Sequence, residues 1–260
     1  MKLYWSYLKI LVQSQLQYRS SFVILLLGQT VLPLFVFAGI TLMFQRFGSL
    51  GGWTAAEVCV AYGVTHMAYG LAQCFARGFD VFSQMIRQGE FDRVLVRPRG
   101  TVIQVLGSRL DLTRIGRLAQ GTVVLAWALG SLNLVWDPLK AFVLASMVLS
   151  GALLFAGLYQ LGAVLCFKTV QGLEVVNIFT DGGREASQYP LSIYPRSLGR
   201  VLTFVIPFGC FNFVPLLWLL GKPGASLLAA VAAPWVGMLF LVPCAFAWRW
   251  GVRHYLSAGS

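Results

Sequence analysis

Side chains that could act as acids or bases are few in this chain, which has nine Asp and Glu against twenty Lys and Arg. Asp80, Glu90 and Asp92 stand among Arg77, Arg87, Arg93, Arg97 and Arg99. Carboxylates and arginines interleaved in this way could hold a metal or a phosphate group at a surface. Solvated ion pairs account for them with fewer assumptions. His66, Glu174 and Asp181 fall within or beside apolar runs. They are the candidates for the buried titrating group that a proton-coupled carrier needs. For His66 a neutral ring bonded to a neighbouring helix is the simpler expectation. Cys59, Cys74, Cys166, Cys210 and Cys244 lie in or at the edges of apolar segments without any C-x-x-C pair, and His66 and His254 are far apart. Neither a disulfide framework nor a zinc site is expected. There is no G-x-x-x-x-G-K-[ST], no G-x-S-x-G and no H-E-x-x-H. The chain therefore has no ATP site of the phosphate-loop type, and nothing in it specifies catalysis.

The scaffold that must position these groups is built for lipid. Over 260 residues the composition is 58% hydrophobic and 11% charged, with mean hydropathy +0.74. A soluble domain carries about a quarter charged residues. So much apolar surface exceeds what one soluble core can hide, so the solvent is lipid. The net charge of +11 resides in loops. There it marks the cytoplasmic side of a membrane protein and not a nucleic-acid surface.

Residues 1–21 read as an amphipathic helix, with Lys2, Ser6, Lys9, Gln13 and Gln17 on one face. Such a helix lies on the cytoplasmic membrane surface; the alternative is the polar start of the first span. That span is Phe22–Phe44, free of charge, with Pro33 predicting a kink. The second runs from about Glu57 to Ala76. Residues 77–117 form the polar interval, with eight arginines from Arg77 to Arg117. Together with Lys2, Lys9 and Arg19 it sets the N-terminus and this loop on the cytoplasmic side. Within it Phe79–Gln88 predicts a helix, Gly89 a break and Pro98 a turn. The third span is about Leu118–Val135, and the fourth runs from Leu139 to before Lys168.

Residues 169–188 read two ways, as a cytoplasmic segment by their charges or as a polar fifth span facing the bundle interior. Residues 201–220, with Pro207, Asn212 and Pro215, suggest a broken or re-entrant segment. The last span is about Ser226–Trp248, and the basic end RWGVRHYLSAGS is cytoplasmic. The expected fold is an all-α polytopic membrane protein forming one domain over 1–260. It has six transmembrane helices, an N-terminal amphipathic interfacial helix and a re-entrant segment before the last span.

Three patches carry a resemblance. IRQGEFDRVLVRP (86–98) resembles a loop of the form I-R-x-G-E-L-D-x-x-L-L-R-P, with Phe91 in place of the usual Leu, a change expected to matter little. YPLSIYPRSLGRVLTFVIPFGCFNFVPLLWLLGK (189–222) is similar to a Y-P-L-x-I-Y-P segment followed by F-x-I-P and L-L-G. HYLSAGS at the end is weaker. These motifs are those of the six-span permease subunits of type 2 ABC transporters, in the branch of roughly 260 residues, and the resemblance covers nearly the whole chain.

The resemblance implies a pathway made by two permeases, identical or sister subunits, in the cell (inner or plasma) membrane with both termini cytoplasmic. It implies separate ABC ATP-binding subunits that bind the ATP, this chain holding no cofactor. A coupling helix in the loop 77–117 would meet the ATPase, which places Arg87, Gly89, Glu90, Asp92, Arg97 and Pro98 at or beside that contact. Residues 1–21 become a connecting helix, 169–188 the fifth span, with Glu174 and Asp181 as possible pathway-lining residues, and 189–222 a re-entrant extracellular hairpin. Partners are thus the ATPase subunits, a second permease and membrane lipid, with no nucleic acid. An ATP-driven exporter permease is the leading function. A membrane-embedded enzyme acting on lipid-linked substrates, or a proton-coupled carrier, is the alternative.

Overall fold

The computed structural model describes residues 2–169 and 172–255, with side chains from 9 to 169 and from 177 to 255. Among these, regular structure is helical, apart from a Leu50–Trp53 bridge that closes a turn. Helix α1 covers Lys2–Gln17 and α2 covers Arg19–Phe47. The break between them is Tyr18, at φ −105° and ψ 68°, so Arg19–Ser21 join the second helix and not the first. Pro33 lies inside α2, which continues through it.

Helix α3, Ala55–Phe75, starts at a capping box. The Thr54 hydroxyl accepts from the Glu57 N–H, and the Glu57 carboxylate accepts from the Thr54 N–H at 2.9 Å. Each thereby occupies a donor that the first helical turn leaves open. Short pieces follow: α4 (Arg77–Asp80), α5 (Phe82–Arg87), α6 (Glu90–Leu95) and α7 (Thr101–Leu106). The helix expected over Phe79–Gln88 is thus broken near Val81, and Gly89 separates α5 from α6 as expected. Helix α8 is Ile115–Ser131 and α9 is Pro138–Cys166. Asp137 caps α9, accepting from the Lys140 N–H at 2.7 Å, with Pro138 in the first turn, where its missing N–H costs nothing. Then come α10 (Gly172–Ser187), α11 (Arg196–Phe204), α12 (Phe208–Phe211), α13 (Phe213–Leu219), α14 (Leu227–Leu239) and α15 (Leu241–Arg253).

Three of these are long and apolar enough to cross a membrane: α2, α9, and α14 with α15 taken as one rod, Leu227–Arg253. The pair Arg196–Phe204 and Phe208–Leu219, bent by 80°, would make a fourth. Helix α3 is the axis of the bundle, buried along most of its length against α8, α9 and α10. Its approach to α8 needs glycine. A Cβ on Gly63 would meet that of Leu125 at 2.7 Å, and one on Gly121 would meet that of His66 at 3.0 Å.

One end of the bundle gathers the polar interval, the end of α1 and the end of α15. The Leu112 N–H donates to Gln15 of α1 at 3.0 Å, and the Trp248 indole of α15 donates to Thr101 at 2.9 Å. The other end gathers the α2–α3 turn and both ends of the segment 189–222. There the Trp53 indole donates to Ser192 at 2.8 Å, and Lys222 pairs with Glu57 at 2.8 Å over the Trp53 ring. Between those two anchors the segment dips to Asn212, which is buried against Ala61, Thr65 and Ser187. That depth is about two to three helical turns below the start of α3.

Candidate functional site

The polar interval is held to the bundle by rings. Phe91 is fully buried, with its centroid 5.1 Å from Phe82, 5.4 Å from Phe167, 6.1 Å from Trp248 and 5.1 Å from Tyr255. Phe79 and Phe82 pack on the same Trp248 at 5.1 and 5.3 Å. These contacts are tilted or edge-to-face, the favourable arrangement for aromatic quadrupoles. They join the loop to the ends of α9 and α15. The cluster is not evident from sequence order. The signal available was three phenylalanines, at 79, 82 and 91, inside the most charged stretch of the chain.

Above that base the loop is largely exposed. Arg87 ends α5 and is exposed; Gly89 has φ 64°, the left-handed region that favours glycine; Glu90 opens α6 and is exposed; Asp92 is partly buried. Leu95 to Gly100 are all exposed, Val96 at 83%. This exposed turn is shaped from behind: the Gln104 amide donates to the carbonyls of Val94 at 3.2 Å and Arg99 at 3.0 Å. Glu90 and Arg97 share a cavity of about 200 Å³ with Arg93 and Gln104, whereas Arg87 and Asp92 are not among its walls. Pro98 sits at the exposed tip.

Nearer the bundle the charges are paired. Arg77 pairs with Asp80, and Arg114 with Asp111 at 3.0 Å. Burial pushes the Asp80 carboxyl up, against the pull of Arg77. Burial works the same way on Asp111, but hydrogen bonds from Thr113 and Arg114 and the charge of Arg77 outweigh it and hold that carboxyl below the usual range. Among the described residues no group of His, Cys, Asp and Glu could hold a metal ion.

A polar seam leads inward from there. Arg114 and Arg117 both donate to the side-chain oxygens of Gln29 and Gln73, at 3.1 to 3.4 Å. The guanidinium carbons of Arg117 and Arg184 lie 5.2 and 5.3 Å from the centre of the Tyr69 ring, and the Tyr69 hydroxyl donates to Asp181 at 2.8 Å. Arg184 is partly buried, while the Asp181 side chain is 58% exposed. Glu174 lies in α10, but its side chain is outside the described residues.

His66 stacks on Tyr62 at 4.1 Å. The neighbour expected for it is Gln188, just after α10, whose side chain approaches the ring, although among the described residues neither ring nitrogen has a partner in full hydrogen-bonding geometry. Gln120 Oε1, Gln188 Oε1, Arg117 Nε and Arg184 Nε are likewise buried without a hydrogen-bond partner among the described residues, though Asp181 lies 3.9 Å from Arg184 Nε. In the sequence Arg114 and Arg117 mark sidedness. Their partners on α2 and α3 are far away in sequence, so only the fold reveals the inward aim.

The family model described as ABC-2 family transporter protein matches residues 30–259. No curated protein and no solved structure matches the chain. The match takes in the exposed loop, the hairpin and all of the seam but Gln29, and it makes this helical bundle a membrane transport protein: the chain belongs to the ABC-2 transporter family.

Proposed function

We infer that the chain is the permease subunit of an ATP-driven exporter, powered from outside through the loop between α3 and α8. The observation that carries this reading is the construction of the loop. Arg87, Glu90, Arg97 and Pro98 are exposed on a turn whose Phe91 is fully buried in the aromatic base. A displacement applied to such a turn is carried into α9 and α15 and is not absorbed by local bending. The chain brings no phosphate loop of its own, so the ATP is bound by separate ABC subunits docking on Arg87, Gly89, Glu90, Asp92, Arg97 and Pro98.

The membrane arrangement that goes with this function has six crossings in one permease domain over 1–260, in the cell membrane. They are α2, α3, α8, α9, α10 and the α14–α15 rod. Helix α3, at 21 residues, reaches about 30 Å. Being wrapped by other helices, it tolerates polar side chains that lipid would not. Helix α1 lies along the cytoplasmic interface, both termini are cytoplasmic, and 189–222 enters and leaves from the outer side. Two permeases, identical or sister subunits, enclose the pathway, which Glu174 and Asp181 line.

The test is co-purification. An ATP-binding subunit encoded with this chain should be retained by it in detergent, while the chain alone hydrolyses no ATP. Changing both Glu90→Lys and Asp92→Lys should detach or uncouple that subunit. Unchanged retention with undiminished transport in the double variant would remove the coupling role from this loop. Turnover of a lipid-linked substrate by the isolated chain would favour the enzyme reading instead.

A further inference from the structure

Between α1, the first turns of α2 and the turn at 109–114 lies a cavity of about 420 Å³. One wall is basic, with Arg77, Arg109 and Arg114 around Asp111. The facing wall includes the apolar Phe22 and Leu25. Asp111 is engaged by Arg114 at 3.0 Å and lies 4.0 Å from Arg77, which also pairs with Asp80. Arg109 is exposed and forms no ion pair among the described residues. The cavity therefore keeps an unneutralised positive charge.

Its walls are tied together. Gln15 of α1 donates to the Leu110 carbonyl and accepts from the Leu112 N–H. At Gly116 the start of α8 fits against α2 so closely that a Cβ would meet the Leu26 carbonyl at 2.5 Å. Outside the cavity α2 presents an apolar face, with Val23, Ile24, Leu27 and Leu32 all exposed.

We propose that this cavity binds the phosphate of an anionic phospholipid headgroup, with the acyl chains lying along the exposed face of α2. Arg109 supplies the free charge, and Arg77 and Arg114, held by Asp80 and Asp111, shape the pocket around the phosphate. Ser14, Tyr18 and Ser21 also line the cavity, and in this proposal their hydroxyls meet the glycerol and ester oxygens. A soluble phosphate compound shares the charge but would leave Phe22, Leu25 and the face of α2 unused. Much of the wall, from Ser14 to Gln29, precedes the stretch matched by the family model. The site rests on the membrane placement of α2 and is independent of any ATPase contact.

The test uses the purified full chain in nanodiscs of phosphatidylcholine doped with phosphatidylglycerol, with retained lipid read by native mass spectrometry. Phosphatidylglycerol should be retained in preference to phosphatidylcholine, and glycerol phosphate should not displace it. Arg109→Glu should lower that retention roughly thirtyfold, and Arg109→Gln by an intermediate factor. Arg93→Glu, the same charge change on α6, should leave it unaltered. Equal retention of the two lipids, or an equal loss in the Arg93 and Arg109 variants, would overturn the proposal. Displacement by glycerol phosphate would reassign the cavity to a soluble phosphate compound.

Discussion

Phe91 shows how much one side chain can decide. As a letter it is a Phe where the related motif has Leu, an exchange of one apolar side chain for another that changes little by itself. In the fold it is the fully buried ring on which Phe82, Phe167, Trp248 and Tyr255 converge. The neighbouring acids and arginines can reach outward because this ring faces inward. Phe91→Ala should therefore cost about 3–5 kcal/mol, the usual consequence of emptying a large buried site. Phe91→Leu keeps an apolar side chain in place and should cost clearly less than the alanine variant. Thermal unfolding of the purified chain measures both. An alanine variant as stable as the parent would show that the aromatic base does not hold the loop.

At the scale of elements, the segment 189–222 depends on two latches and a pin. Trp53–Ser192 and Lys222–Glu57 fix its ends, and the Asn212 amide shares its two hydrogens among the Ala61 carbonyl, the Thr65 hydroxyl and the Ser187 carbonyl. Asn212→Leu keeps the size and removes the donors, which should cost about 1–3 kcal/mol. Hydrogen exchange should then quicken over Arg196–Phe204 while α9 keeps its protection; exchange unchanged over α11 would deny Asn212 its role. Much of this fold was legible in the sequence, for definite reasons. Helices α2 and α9 announce themselves by unbroken apolar length, and prolines 207 and 215 mark the bend near α12. The latches were not legible, because Trp53 and Ser192 are brought together only by the whole fold. Nor was the fate of Arg184, whose charge argued against a bundle position. It lies over the Tyr69 ring and pairs with the half-exposed Glu185 at 2.6 Å, so the charge is met by groups of the chain itself. Helix α3 is less apolar than its place suggests, because Thr65, His66 and Gln73 are all buried against other helices and not against lipid.

At the scale of the whole molecule, the six-crossing arrangement proposed above gives α10 a face that a single copy in lipid does not satisfy. On α10 the Asp181 and Glu185 side chains are 58% and 54% exposed even though the first accepts from Tyr69 and the second pairs with Arg184, with Gly182 exposed beside them. A carboxylate facing hydrocarbon costs about 2.5–3.5 kcal/mol at mid-membrane. Two on one helix face therefore call for water or a polar partner, as a pathway shared with a second permease provides. Helix α2 offers the opposite environment, with Phe35, Val36 and Leu42 exposed around Gly39. Gly39 and Gly182 form a matched pair of probes, since a Cβ at either meets nothing within 4 Å. All five native cysteines are buried, which lowers their background. A thiol reacts with a maleimide as thiolate, which needs water. In native membranes Gly182→Cys should therefore label with a water-soluble maleimide many times faster than Gly39→Cys, and transported substrate should slow the first and not the second. Equal labelling of the two positions would place α10 against lipid and take Asp181 out of the pathway.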